Sequence, residues 1–129
     1  MDINKIIEIT QDKKLLYVED DDILRMSTMD VLEDFFDDIY IAVDGKDGLE
    51  TFKKNEIDII ITDLSMPNMG GMEMIKNIRQ IDKNIIILVF SAHNELNIVD
   101  SINESNIQGY LFKPMDFHQF IDTISSVLS

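Results

Sequence analysis

Five short apolar runs, each separated from the next by a stretch of helical spacing, constrain the fold of this chain more than any other feature. The runs are Lys14–Val18, Ile39–Val43, Ile57–Thr62, Ile85–Phe90 and Gly109–Phe112. In the third, Ile57 to Ile61 is broken only by Asp58, the composition of a strand buried on both faces. Between the runs, Leu24, Thr28, Val31, Leu32 and Phe35 share one helical face, and so do Met74, Ile75, Ile78 and Ile81. Phe117, Phe120, Ile121, Ile124 and Leu128 repeat at offsets of 3, 4, 7 and 11 and predict a last helix. Asp44 before "GKDGLETF" suits an N-cap, and Asp116 followed three residues later by Gln119 reads as a capping box. Asn94–Glu104 is less apolar, so an exposed helix is expected there. Strand and helix alternating in this way imply an α/β fold, a doubly wound five-stranded parallel sheet with helices on both faces. Right-handed crossovers then bring the C-terminal ends of all strands to one edge, where such sheets bind ligands.

The length of 129 residues suits one domain over 13–129, preceded by an N-terminal extension, 1–12. Ile3, Ile6, Ile7 and Ile9 predict that this extension is a short helix packed on the domain. A formal charge of −14, from 25 acids against 11 bases, argues against direct contact with nucleic-acid phosphates. There is no apolar run of membrane-spanning length and no basic-then-apolar start. The absence of cysteine excludes disulfides and thiolate metal sites and fits a cytoplasmic location. His93 and His118 are too few for a histidine-rich metal site; both read as solvated side chains. Met66, Met69, Met72 and Met74 read as core filling.

What sits at the strand ends is less ordinary. Strand one runs into Glu19, Asp20 and Asp21; strand three into Asp63; strand four into Ser91; strand five into Lys113 and Pro114. Any one of these has a bland reading as a cap or a surface charge. Together they put several carboxylates, a hydroxyl and an ammonium in one crevice. Crowded carboxylates repel one another, and a hard divalent cation removes that cost. Oxygen-only donors select Mg²⁺, Mn²⁺ or Ca²⁺ over zinc; without a spaced calcium loop, Mg²⁺ suits them best. A divalent cation with one lysine and one hydroxyl is equipment for binding a phosphoryl group, and a carboxylate can itself be the nucleophile.

With "YVEDD", "ITDLSMPNMGG", "FSA" and "YLFKP" in this order at strand ends, the chain resembles the receiver domain of two-component response regulators, over essentially residues 13–128. The resemblance implies the flavodoxin-like strand order 2-1-3-4-5. It implies that Asp63 is the phospho-acceptor, Asp20 a direct Mg²⁺ ligand, Glu19 a ligand through water, and Ser65 the donor of a backbone carbonyl to the metal. Ser91 and Lys113 would contact the phosphoryl oxygens. Ser91 and Tyr110 would be the switch residues, Tyr110 the aromatic one, and Lys113–Pro114 a cis bond. The implied function is a signalling module that takes a phosphoryl group from a histidine kinase or phosphotransfer protein. It would catalyse only its own phosphorylation and slow dephosphorylation. An output domain or partner would then read a surface made by the 94–104 helix, strand five and the last helix. Gly70 departs from the family, which often carries Asp or Asn there, and Ser91 replaces the commoner threonine. Asp21 and Asp22 match no family role and read as charges favoured at a helix N-terminus.

Two rival classes are disfavoured by particular residues. A Mg²⁺-dependent aspartyl-phosphate hydrolase would place a second acid two residues after the nucleophile, where this chain has Ser65. A nucleotide- or flavin-binding module would follow strand one with a Gly-, Ser- or Thr-rich loop, where this chain has "EDDD".

Overall fold

The computed structural model describes residues 2–92 and 106–128. In chain order the elements are α1 (Ile3–Thr10), β1 (Lys14–Val18), α2 (Asp22–Leu32), β2 (Asp38–Ala42), α3 (Gly45–Lys54), β3 (Ile59–Thr62), α4 (Gly71–Ile81), β4 (Ile86–Ser91), β5 (Gly109–Phe112) and α5 (Phe117–Leu128). The strands form one parallel sheet in the order β2-β1-β3-β4-β5. This is the doubly wound α/β architecture expected from the alternation. The helix expected over Asn94–Glu104, and His93, lie outside the described residues.

Side chains that alternate along each strand separate two apolar layers. Leu15 and Tyr17, Ile59 and Ile61, Leu88 and Phe90 join Leu32, Phe35, Phe120 and Ile124 in the layer that takes in α1, α2 and α5. Leu16 and Val18, Ile60, Ile87 and Val89 join Phe52, Met74, Ile75 and Ile78 under α3 and α4. Burial on both faces explains the continuous isoleucines of β3. Met74 is fully buried, while Met66, Met69 and Met72 pack against the second layer from its margin.

Several boundaries differ from the pattern reading, each for a local reason. β3 begins at Ile59 rather than Ile57, because Asp58 turns its carboxylate to the Lys14 amide (2.8 Å) and gives its own amide to the Lys14 carbonyl (2.8 Å). β2 ends at Ala42, since the Val43 amide donates to Asp47 Oδ2 at 3.0 Å instead of a neighbouring strand. Ile81 is exposed; the turn after it is closed by Asp82 Oδ1, which accepts from the Asn84 and Ile85 amides, so Ile85 turns inward in its place. The capping box does not close at α5. Gln119 Oε1 accepts instead from the Phe112 amide of β5 (3.1 Å), and Asp116 Oδ1 accepts from the His118 amide (3.2 Å). Asp44 does cap α3, accepting from the Asp47 amide at 2.8 Å.

The amphipathic α1 buries Ile6 in the first layer. Asp2 caps it, and the buried Thr10 hydroxyl donates to the Phe35 carbonyl at 2.7 Å, tying its end to the loop after α2.

Candidate functional site

Glu19 and Asp63 are the first residues past β1 and β3, yet the sheet still holds their backbones. The Glu19 amide donates to the Ala42 carbonyl (3.0 Å) and the Asp63 amide to the Val18 carbonyl (3.1 Å). Both residues are therefore placed by the ladder and buried at its C-terminal edge, Glu19 completely. Oxygen atoms of Glu19, Asp20 and Asp63 come within 4.8 Å of one another, with Asp20 exposed between two buried partners.

Lys113, the first residue after β5, brings the balancing charge. Its Nζ donates to Asp63 Oδ2 at 2.8 Å and lies 3.2 Å from Glu19 Oε1. Asp63 Oδ1 accepts from the Leu64 amide at 2.7 Å and, at the longer distance of 3.4 Å, from that of Ser65. Glu19 Oε2 accepts from the Asp21 amide at 3.2 Å. Glu19 Oε1 is different: this buried oxygen ion-pairs with the lysine but has no hydrogen-bond partner among the described residues. Burial, and then the negative charge of Asp63, push the Glu19 carboxyl up to about 7, against the opposing pull of Lys113. Burial alone would lower the Lys113 ammonium, but its bond to Asp63 and the charges of Asp63 and Glu19 outweigh this and raise it.

Ser91, the last residue of β4, is buried, and β4 runs two residues beyond Val89, the register partner of Thr62. Its carbonyl accepts from the Lys113 amide at 2.9 Å, which joins the two strand ends that carry the hydroxyl and the ammonium. The Lys113–Pro114 bond is cis. Tyr110 lies in β5 opposite Val89, half-buried against the second layer. Ser65 is exposed in the loop after β3. The start of α4 closes tightly on that loop: the Gly71 amide donates to the Leu64 carbonyl (2.8 Å), and a Cβ at Gly71 would collide with the Asp63 carbonyl oxygen. Gly70 supplies no side-chain cap to α4.

The acids after β1 divide the work. Asp21 caps α2 by accepting from the Leu24 amide (3.0 Å), and Asp22 pairs with Arg25. Arg25 was not legible as a site residue. Its Nη1 turns back to the Glu19 carbonyl at 2.8 Å and so holds the turn that carries the acid cluster. The three-residue spacing from Asp22 signals a helical ion pair, but nothing local signals the bond to Glu19.

A parallel α/β sheet with buried acids, a lysine and a hydroxyl at its C-terminal edge defines a class of domain whose site suits a hard cation and an anion together. Glu19 Oε1, a buried carboxylate oxygen with no hydrogen-bond partner among the described residues, and the oxygen-only character of its neighbours fit a hard divalent cation. Comparison with known proteins gives the class its family. The family model for the response regulator receiver domain matches residues 15–125. Sporulation initiation phosphotransferase F of Bacillus subtilis is 26% identical over 90% of this chain and 94% of its own length. Chemotaxis protein CheY of the same organism is 26% identical over 90% of this chain and 98% of its own. Among solved structures, the N-terminal domain of an uncharacterized protein from Wolinella succinogenes superimposes with a TM-score of 0.81. It shows 30% identity and covers 89% of this chain and 93% of that one. The chemotaxis response regulator CheY4 of Vibrio cholerae superimposes with a TM-score of 0.79 at 28% identity, covering 90% of this chain and 98% of that one. The chain belongs to the response regulator receiver domain family of two-component signalling. Among the described residues, no helix is long and apolar enough to cross a membrane.

Proposed function

We propose that Asp63 accepts a phosphoryl group from a histidine kinase or phosphotransfer protein in the cytoplasm. What supports this reading above all is the single ammonium of Lys113 shared between Asp63 Oδ2 and Glu19 Oε1 at the sheet edge. A carboxylate oxygen of Asp63 attacks phosphorus; the bond from phosphorus to the donor breaks, and its electron pair leaves with the donor. The Leu64 amide fixes the nucleophile's direction, because it binds Oδ1 and leaves the group little freedom to turn. Lys113 transfers its hydrogen bonding from Asp63 to an incoming phosphoryl oxygen, and the Ser91 hydroxyl binds a second. A Mg²⁺ ion held by Glu19, Asp20, Asp63 and the Ser65 carbonyl would supply further neutralisation of the phosphoryl charge. The domain catalyses its own phosphorylation and slow dephosphorylation and acts on no other substrate. Tyr110 and the surface of β5 and α5, with the 94–104 segment, carry the signal to an output domain or partner protein.

Mg²⁺ with acetyl phosphate should add one phosphoryl group to the intact protein, as read by mass spectrometry, and Asp63→Asn should abolish the addition. Labelling that persists in Asp63→Asn would remove this assignment.

A further inference from the structure

The loop from Leu64 to Gly70 is held at a second place, far along the chain from the acid cluster. Asn68 adopts φ 67 and donates Nδ2 to Asp44 Oδ2 at 2.7 Å, across 24 residues. The next residue, Met69, accepts at its carbonyl from the Gly45 amide at 2.9 Å. Asp44 is buried and is already fixed, because its other oxygen caps α3. At Gly45 a Cβ would run into the Met69 and Gly70 carbonyl oxygens, so this approach of loop to helix requires glycine. Asn is among the residues other than glycine that enter the left-handed region most readily. Here it is held there by the charge-assisted bond to Asp44, by the bond from Gly45 to the Met69 carbonyl, and by the Met69 amide, which donates across it to the Pro67 carbonyl at 2.7 Å.

We propose that Asp44, Gly45 and Asn68 form a clasp that sets the position of the 64–70 loop for cation binding. Asp44 and Asn68 are thus positioning residues for the site. The proposal rests on the reading of Asp63 and Ser65 given above. The base of the loop has one main-chain bond, from Gly71 to Leu64, while Ser65 and Pro67 are exposed. A carbonyl ligand on such a loop needs support at the tip as well as at the base, since metal affinity depends on how firmly partners outside the ligand set hold the ligands. The clasp anchors the tip to α3, an element that is itself packed on α4 and β1.

The test is a reversal of the hydrogen bond. Asp44→Asn keeps an oxygen for the α3 cap but sets an amide against the Asn68 amide. Asn68→Asp tolerates the left-handed backbone but sets a carboxylate against Asp44. The double variant restores a donor facing an acceptor with the charge of the natural pair. Mg²⁺ affinity would be measured by calorimetry, and hydrogen exchange at the Gly45 amide by NMR in metal-free protein. Each single variant should bind Mg²⁺ roughly tenfold more weakly and exchange Gly45 faster, and the double variant should recover most of both. Singles that exchange faster but bind Mg²⁺ as the natural protein does would overturn the clasp as a positioning device. A double variant no better than the singles would do so too. If the natural protein itself bound no Mg²⁺, the reading of Asp63 would fall with the clasp; if it bound and the singles matched it, the clasp alone would fall.

Discussion

Glu19 and Asp63 show how two acids can be buried side by side with one cation between them. Backbone bonds of the sheet hold the two residues at one edge, the Asp21 and Leu64 amides each bind one carboxylate oxygen, and Lys113 offsets only part of the repulsion. This has a consequence for pH in the absence of divalent metal. The folded state holds the Glu19 proton up to about 7, above the ordinary 4.5 of the group. Stability from this residue is therefore fully present below about 4.5 and is lost as pH rises through about 7. In EDTA, chemical denaturation of the natural protein should lose up to about 3 kcal/mol more across that window than Glu19→Gln does. Equal slopes for the two would show that Glu19 carries no strain of this kind. Asp63→Asn should likewise stabilise the metal-free protein, because one negative charge leaves while Oδ1 can still accept from Leu64. A rise of roughly 4 °C in melting temperature, for about 1 kcal/mol, is expected; a fall would make Asp63 chiefly a structural cap. Each of these residues was legible as an ionisable group directly after an apolar run. Arg25 and the Asp44–Asn68 pair were not, because each works through a backbone or side-chain atom supplied from elsewhere in the fold.

The helix α1 is the element that the receiver-domain match leaves out, since that match begins at residue 15. It is nonetheless built into the first apolar layer through Ile6, and into the hydrogen bonding through Thr10. Thr10→Val keeps the shape but leaves the Phe35 carbonyl without this buried donor. It should lower the urea midpoint by the equivalent of about 1 to 3 kcal/mol at unchanged slope. A midpoint that did not move would mean that α1 frays from the domain at little cost. The isoleucine spacing was sufficient to expect a helix here, because periodicity is local. The ends of elements were less legible. Asp58, Asp47 and Gln119 each divert a backbone amide from the pattern that propensity suggests, and the diverted amide belongs to Lys14, Val43 or Phe112. For Lys14 the partner is 44 residues away, beyond any window of local spacing.

Across the whole molecule, the sheet joins the site to the surface proposed for output. The Lys113 amide donates to the Ser91 carbonyl, and Tyr110 pairs with Val89, so Ser91, Lys113 and Tyr110 lie on one pair of hydrogen-bonded strands. Beryllofluoride with Mg²⁺, standing in for the phosphoryl group, should shift backbone NMR signals most at Ser91 and across 106–117. Tyr110→Ala should weaken those shifts while leaving phosphorylation of Asp63 intact. Largest shifts on α2 instead would place the responsive face elsewhere. The alternation of apolar runs with helical spacing was enough to specify a doubly wound parallel sheet, because burial on both faces demands continuous apolar strands and crossovers have one hand. It was also enough to put Glu19, Asp63, Ser91 and Lys113 at one edge, since chain direction in a parallel sheet fixes which end every strand presents. Which oxygen Lys113 binds, that Glu19 Oε1 has no hydrogen-bond partner among the described residues, and that α3 holds the loop after β3 were decided only by tertiary structure. Those facts depend on distances between side chains remote in sequence, and such distances exist only once the two apolar layers have packed.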